Sequence, residues 1–377
     1  MLTHQELVAF ARSLRDERVL SVYLDGSLHD PKEKRVWRLE LDHQLKSIRQ
    51  NIQGTSHAER ELFEECVRFL AKQLHTFNGA LGAPGWAGFV TGPGVQYAEL
   101  LPVPMPTLAA WRKGPRIAPY VRALKQNRPV IVVLADTRDA AIYRYVHGAL
   151  EHVDDVHARV VPDEPMHMSK PPRPGFHPGI RGTPGRDQAQ REVAAASKRM
   201  IAGAAERAAK AAGDEGWLLV GGIPEISAHV TDAIGKLAEG RVRHVPSLDI
   251  HASEAQIATA AQEGASAIRD DVDAQRIAEM TDRDEAQGMA ALGRTAAQHA
   301  LEQKRVRELY LTHRFIEEHT REAEDAVRDA LDQGAMVEEV ERAAAARLDK
   351  HGGIAARLRY RLTAPESATA AAAAAKR

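Results

Sequence analysis

Val130-Ile131-Val132-Val133-Leu134-Ala135, taken with Trp217-Leu218-Leu219-Val220 and the Gly221-Gly222 pair after it, decides the fold of this chain. Apolar runs without alternation predict strands buried on both faces. Two alternating strands are expected between these runs, at about 140–146 and 149–155, joined by His147-Gly148. A helix is predicted from about Asp187 to Ala212, where Gly213 ends it. A second helix runs to about Glu239, with Pro224 suited to its first turn, and a strand over Arg241–Val245 follows. Strands and helices in this order make the class α/β, with α+β character elsewhere in the chain.

The segment before the first of those helices is Lys170-Pro-Pro-Arg-Pro-Gly-Phe-His-Pro-Gly-Ile-Arg-Gly-Thr-Pro-Gly-Arg186. So much Pro and Gly forces a loop. From Lys170 to Arg191 the cations are Lys170, Arg173, Arg181, Arg186 and Arg191, and Asp187 is the one acidic residue. A cationic loop feeding a helix N-terminus suits an anion such as a phosphate backbone; a solvated linker is the alternative. Arg191 and Lys198 are seven residues apart and share one helix face, with Val193, Ala196, Met200 and Ala204 on the other. Gly221-Gly222 is read as a tight turn, because no Gly-x-Gly-x-x-Gly or Walker pattern surrounds it.

Outward toward the N-terminus, an amphipathic helix is predicted over Leu2–Arg15 and a strand over Val19–Leu24. Helices follow at about 34–53 and 57–77, then a hairpin over Gly85–Leu101 that Pro102, Pro104 and Pro106 close, and a helix at about 117–125. Toward the C-terminus, helices are expected at about 253–270 and 283–304, with a Ser253–Gln256 capping box. Asp270, Asp271, Asp273, Asp282 and Asp284 read as a solvated acidic surface, since their spacing fits no calcium loop. A strand at 305–311, helices at 316–332 and 338–349, a short strand at 335–337 and a last strand after Gly352-Gly353 complete the globular part. The tail, 363–377, is low in complexity and reads as disordered.

A chain of 377 residues calls for two or three domains. The net charge of −1 excludes a globally basic nucleic-acid coat but not a local basic surface. Cys66 is the one cysteine, so internal disulfides and cysteine zinc sites are excluded and a reducing, cytoplasmic setting is expected. No signal peptide or membrane-length apolar run is visible. No metal or cofactor motif is found; His167, His177 and His313 are isolated histidines among 17 scattered ones.

Several landmarks stand in a telling order. These are Val19-Leu20-Ser21-Val22-Tyr23-Leu24-Asp25, the strand and ribbon at 130–155, Leu218-Leu219-Val220-Gly221-Gly222, and Gly352-Gly353-Ile354-Ala355-Ala356-Arg357-Leu358-Arg359-Tyr360. Together they resemble the archaeal and eukaryotic release factor superfamily, and within it the bacterial relatives that include the hibernation factor Balon, with Pelota as a more distant cousin. The resemblance implies three domains: 1–127, an RNase H-like middle domain at 128–249 carrying the loop 157–190, and an α/β factor-docking domain at 250–362. Release factors carry Gly-Gly-Gln at the start of a long helix. Here Gly185-Arg186-Asp187-Gln188 stands in that place, so Gln188 is the candidate catalytic residue, without the glycine pair that frees the backbone.

The resemblance further implies a ribosome partner, with the loop directed along the A site toward the peptidyl-transferase centre, and a translational GTPase such as elongation factor Tu as a possible second partner. Lys170, Arg173, Arg181, Arg186, Arg191 and Lys198 would meet RNA, with Gly182 and Gly185 shaping the loop. Three functions follow as expectations. They are occupancy of idle or stalled ribosomes (hibernation or rescue), peptidyl-tRNA hydrolysis through Gln188, and a non-ribosomal role on the same fold.

Overall fold

The computed structural model describes residues 1–27, 36–77, 80–159, 184–238, 240–284 and 288–360. By their contacts these form two compact units, Met1–Asn127 with Asp273 onward, and Arg128–Val272.

The N-terminal part of the first unit comprises α1 (His4–Ser13), β1 (Arg18–Asp25), α2 (Val36–Asn51), α3 (His57–Leu74), β2 (Gly85–Thr91), β3 (Gly94–Leu101), β4 (Leu108–Lys113) and α4 (Ala118–Gln126). Thr3 caps α1 in a reciprocal box with Glu6, which satisfies otherwise orphaned N–H groups. The sheet order is β3-β2-β1-β4, antiparallel throughout. Successive residues of β1 go to opposite faces, as a two-residue period requires. Leu20, Val22 and Leu24 pack with Trp37, Leu41, Phe63, Cys66 and Leu70 of α2 and α3, whereas Val19 and Tyr23 enter a second core.

The second unit is built from β5 (Val130–Ala135), β6 (Asp139–Val146), β7 (Ala149–His157), α5 (Pro184–Ala212), β8 (Trp217–Gly222), α6 (Pro224–Gly235), β9 (Val242–His244) and most of α7 (Glu254–Glu279). Its sheet runs β7-β6-β5-β8-β9, antiparallel among the first three and parallel from β5 to β9. That order is the RNase H-like arrangement implied by the resemblance. The apolar run of β5 is buried on both faces. Ile131, Val133 and Ala135 meet Met200, Ala204 and Ala208 of α5, while Val130, Val132 and Leu134 meet Leu248 and the α7 residues Ile257, Ala261 and Ile268.

The first unit resumes inside α7 and continues through a π-helical turn (Met280–Asp284), β10 (Ala290–Leu292), α8 (Arg294–Glu302), β11 (Val306–Thr312), α9 (His313–Glu318), α10 (Thr320–Asp332), β12 (Met336–Val340), α11 (Arg342–Asp349) and β13 (Ile354–Leu358). The sheet order is β10-β13-β11-β12, with β11 and β12 parallel. Leu7, Phe89 and Tyr120 from the N-terminal part share one core with Leu309, Phe315, Val327 and Leu331.

The edge strand β4, Leu108–Lys113, had no counterpart among the expected elements; it holds no β-branched residue and is fixed by pairing with β1. Three expectations are corrected. The helix expected at 283–304 is a shorter α8 preceded by β10, whose alanines join the sheet through β13. The helix predicted at 338–349 begins only at Arg342, since residues 336–340 form β12. Asp273 is buried rather than solvated: Lys125 Nζ lies 2.7 Å from its Oδ2 and 3.1 Å from Glu338 Oε2. Desolvation raises the Asp273 carboxyl above its ordinary value, against the lowering influence of Lys125.

Candidate RNA-contacting surface

The site predicted from sequence lies where α5 begins. This helix has 29 residues, about 44 Å at 1.5 Å per residue, whereas β5 has six residues, about 20 Å. A helix twice the length of its strand cannot bury all its turns against it. Burial accordingly starts at Ala196 and continues through Met200, Ala204, Ala205 and Ala208, while Arg191, Val193, Ala194 and Ala195 are exposed. The first turns of α5 therefore carry no packed apolar stripe among the described side chains. Val193, expected on the packed face, is 55% exposed because it lies one turn beyond the sheet.

Arg191 and Lys198 both face solvent, and neither forms an ion pair with a described carboxylate. Farther along, cations are engaged by the protein itself: Arg199 donates to the Arg159 carbonyl oxygen at 3.3 Å, and Arg207 Nη1 lies 2.7 Å from Asp154 Oδ2. Lys210, in the last turn, is again exposed and without a described carboxylate partner, so among the described side chains Arg191 is the cation of this kind nearest the N-terminal end, the side on which a helix dipole favours anions.

The helix starts at Pro184, three residues before the expected Asp187, with proline at its first position. Gly185, Arg186 and Gln188 accordingly lie within the first two turns of a helix instead of an open loop. Lys170, Arg173, Arg181 and Gly182, together with His167, His177 and the rest of residues 160–183, lie outside the described residues.

The Gly221-Gly222 turn is closed to a phosphate. Gly222 adopts φ +106°, and a Cβ there would stand 2.1 Å from the Ala135 carbonyl oxygen. Its N–H donates to the Leu248 carbonyl oxygen at 2.8 Å, and the Ile223 N–H to that of Ala135 at 3.0 Å. The glycines admit neighbouring backbone, so no room or free donors remain for a ligand. His313 is held between Glu317 and Glu339, each at 3.1 Å, as a surface ion-pair residue. Among the described residues no group of three His, Cys, Asp or Glu is placed to hold a metal, and no helix is long and apolar enough to cross a membrane.

The family described as bacterial archaeo-eukaryotic release factor family 10 matches residues 115–267, which include the whole of the second unit's sheet and α5. This match covers 153 of the 377 residues, and over them the chain is similar to that release-factor family. Solved structures similar to the chain include an archaeal translation termination factor at 17% identity, covering 95% of this chain and 99% of that one, with a TM-score of 0.25. Pelota from Archaeoglobus fulgidus is 14% identical over 74% of this chain and 80% of its own, with a TM-score of 0.34. An archaeal Pelota described as ribosome-bound, with ABCE1, is 11% identical over 96% and 95%, with a TM-score of 0.41. No curated protein sequence matches the chain.

One group of charged residues escaped the sequence reading altogether. Arg112, Lys113 and Arg116 sit on and just after β4, the strand absent from the expected elements, and they line a cleft in the first unit. Their sequence signal was the clustering of three cations in Arg112–Arg116; only the register with β1 gives it a place.

Proposed function

We propose that this protein is a ribosome-associated, release-factor-like translation factor that occupies the A site of idle or stalled ribosomes. The reading is supported by the release-factor family match over residues 115–267, and one structural observation carries it. The N-terminal turns of α5, which include Arg186, extend past the sheet and carry the exposed Arg191, with Lys198 exposed two turns on where packing has begun; both are unpaired by described carboxylates, and the helix follows a segment containing Lys170, Arg173 and Arg181. Such an extension is stabilised by an external polyanion rather than by the protein's own core, and ribosomal RNA along the tRNA acceptor-arm path supplies one. The division of labour proposed is the three-domain one. Residues 1–127 face the decoding side, 128–249 with the loop probe toward the peptidyl-transferase centre, and 250–362 dock a translational GTPase, for which elongation factor Tu is the candidate.

Occupancy is favoured over hydrolysis by the sequence at the helix start. Peptide release needs a water positioned against the ester, a task of geometry because a neutral amide is no base. Arg186 and Asp187 replace the two glycines, and the helix already includes them, so the backbone before Gln188 lacks the freedom of a glycine pair. Sedimentation of a lysate from stressed cells through sucrose tests the reading: the protein travels with ribosomes at low salt, and its confinement to the top fractions would overturn it.

A further inference from the structure

We infer that the first unit carries a second RNA-binding site, a cationic cleft that grips phosphodiester groups independently of the loop in the second unit. This deepens the ribosome-binding reading and rests on it. The cleft encloses about 900 Å³. Arg15 and Arg18 reach it from the end of α1 and the start of β1, Arg112, Lys113 and Arg116 from β4 and the turn after it, and Arg321 and Arg328 from α10. Asp16 and Asp325 are the carboxylates in the lining, and Glu59, Glu324, Asp329 and Asp332 also pair with its arginines, so seven cations meet six carboxylates.

Six of these seven cations have a carboxylate partner, and Arg328 has two. Arg18 lies 3.0 Å from Glu59, Arg15 3.1 Å from Asp332, Lys113 2.8 Å from Asp16, and Arg112 2.8 Å from Asp325. Arg116 lies 3.3 Å from the buried Glu324, and Arg328 2.9 Å from Asp325. A guanidinium has five N–H donors, and Arg15 and Arg18 each commit one nitrogen to a carboxylate. The pairs hold the arginines in place and leave donors for a second anion. Arg321 forms no ion pair with a described carboxylate.

The shape and lining select the ligand. Small-molecule pockets are mostly apolar with a few polar groups. Here Ala110 and Trp111 are the apolar residues among twelve that line the cleft. Arg321 and Arg328 are seven residues apart on α10, about 10 Å along the axis. Charge spread over that distance, with a single aromatic ring, matches consecutive phosphates of a strand better than one nucleotide. Tracking of a backbone by cations beside an aromatic side chain is how proteins hold single-stranded nucleic acid.

The test is fluorescence anisotropy of a labelled twelve-nucleotide single-stranded RNA with the full chain across a salt series. Three double or single variants are compared: Lys113→Glu with Arg321→Glu in the cleft, Arg191→Glu with Lys198→Glu on α5, and Lys350→Glu, an exposed control in the same unit. Lys113 is 63% exposed and Arg321 has no described carboxylate partner, so the cleft variant folds normally, which its melting temperature checks. The expected result is at least a fivefold loss of affinity for the cleft variant and a salt slope shallower by about 1.4, two phosphates at about 0.7 each. The control changes neither. Affinity equal to wild type, or a loss matched by the Lys350→Glu control, would make the cleft an ion-pair seam and overturn the proposal. Displacement of the RNA by ATP at micromolar concentration, in a manner abolished by the cleft variant, would also overturn it in favour of a nucleotide site. Failure of the wild-type chain to sediment with ribosomes is a separate outcome. It removes the ribosome reading while the anisotropy still decides whether the cleft binds RNA.

Discussion

Lys125 Nζ lies 2.7 Å from Asp273 Oδ2, and these two buried residues flank the two places where the chain crosses between its compact units. Lys125 is two residues before Asn127, the last residue before the first crossing, and Asp273 is the first residue after the second. The lysine also donates to the Glu339 carbonyl oxygen at 2.9 Å and lies 3.1 Å from Glu338. Both chain crossings thus leave the first unit at one charged knot. Replacing Lys125 by Met strands two buried carboxylates. The expected cost is about 3–5 kcal/mol, read as a lowered denaturation midpoint, and a change under about 1 kcal/mol would contradict the knot.

Glu324 makes a pH prediction. It is buried, accepts the Ile117 N–H at 2.9 Å, and faces Arg116. Desolvation is the larger influence and raises its carboxyl above 4.5, with Arg116 and the backbone donor working the other way. The folded state therefore holds this proton more tightly than the unfolded state does. The associated stabilisation is complete below 4.5 and is lost as pH rises through the raised value. Wild-type stability minus that of Glu324→Gln should fall with rising pH above 4.5 in denaturant titrations. A difference that grows over that window would contradict the assignment.

Gly222→Ala tests the reading of the glycine turn as backbone packing. A Cβ 2.1 Å from the Ala135 carbonyl oxygen, on a residue with φ +106°, forces β5 and β8 apart. Strain of this kind costs at least about 2 kcal/mol, measurable by thermal melting. A variant as stable as wild type would show that the turn tolerates a side chain.

Cys66, on α3, is buried in the core that α2 and α3 form with β1, and burial pushes its thiol up to about 11. The thiolate is the reactive form, so a disulfide reagent at pH 8 should label the folded protein slowly, at a rate limited by opening. Fast stoichiometric labelling without denaturant would contradict this burial.

The fold was legible where local pattern and final structure agree. The unalternated runs of β5 and β8 announced a sheet covered on both faces, and the Ser253–Gln256 box stands at the head of α7, with the Ser253 N–H donating to Gln256 at 2.8 Å. Elements set by distant partners were not legible. β4 and β10 carry Ala-rich sequences that take strand form through pairing with β1 and β13. Asp273 looked like one more surface aspartate because its partner is 148 residues away in the sequence. For the candidate site, Arg191 and Lys198 were placed on one exposed face by periodicity alone. The α10 contribution to the cationic cleft was invisible, since no spacing rule links Arg112 to Arg321.

The central claim is that this chain binds ribosomes through the positive charge at the head of α5. Its direct measurement is pelleting of the purified protein with purified bacterial ribosomes over a salt series, wild type beside Arg191→Glu with Lys198→Glu. Binding should be strong near about 50 mM salt, fall steeply by about 200 mM, and show a shallower slope in the variant. A wild-type chain that stays in the supernatant at the lowest salt, or a variant indistinguishable from it across the series, would contradict the account.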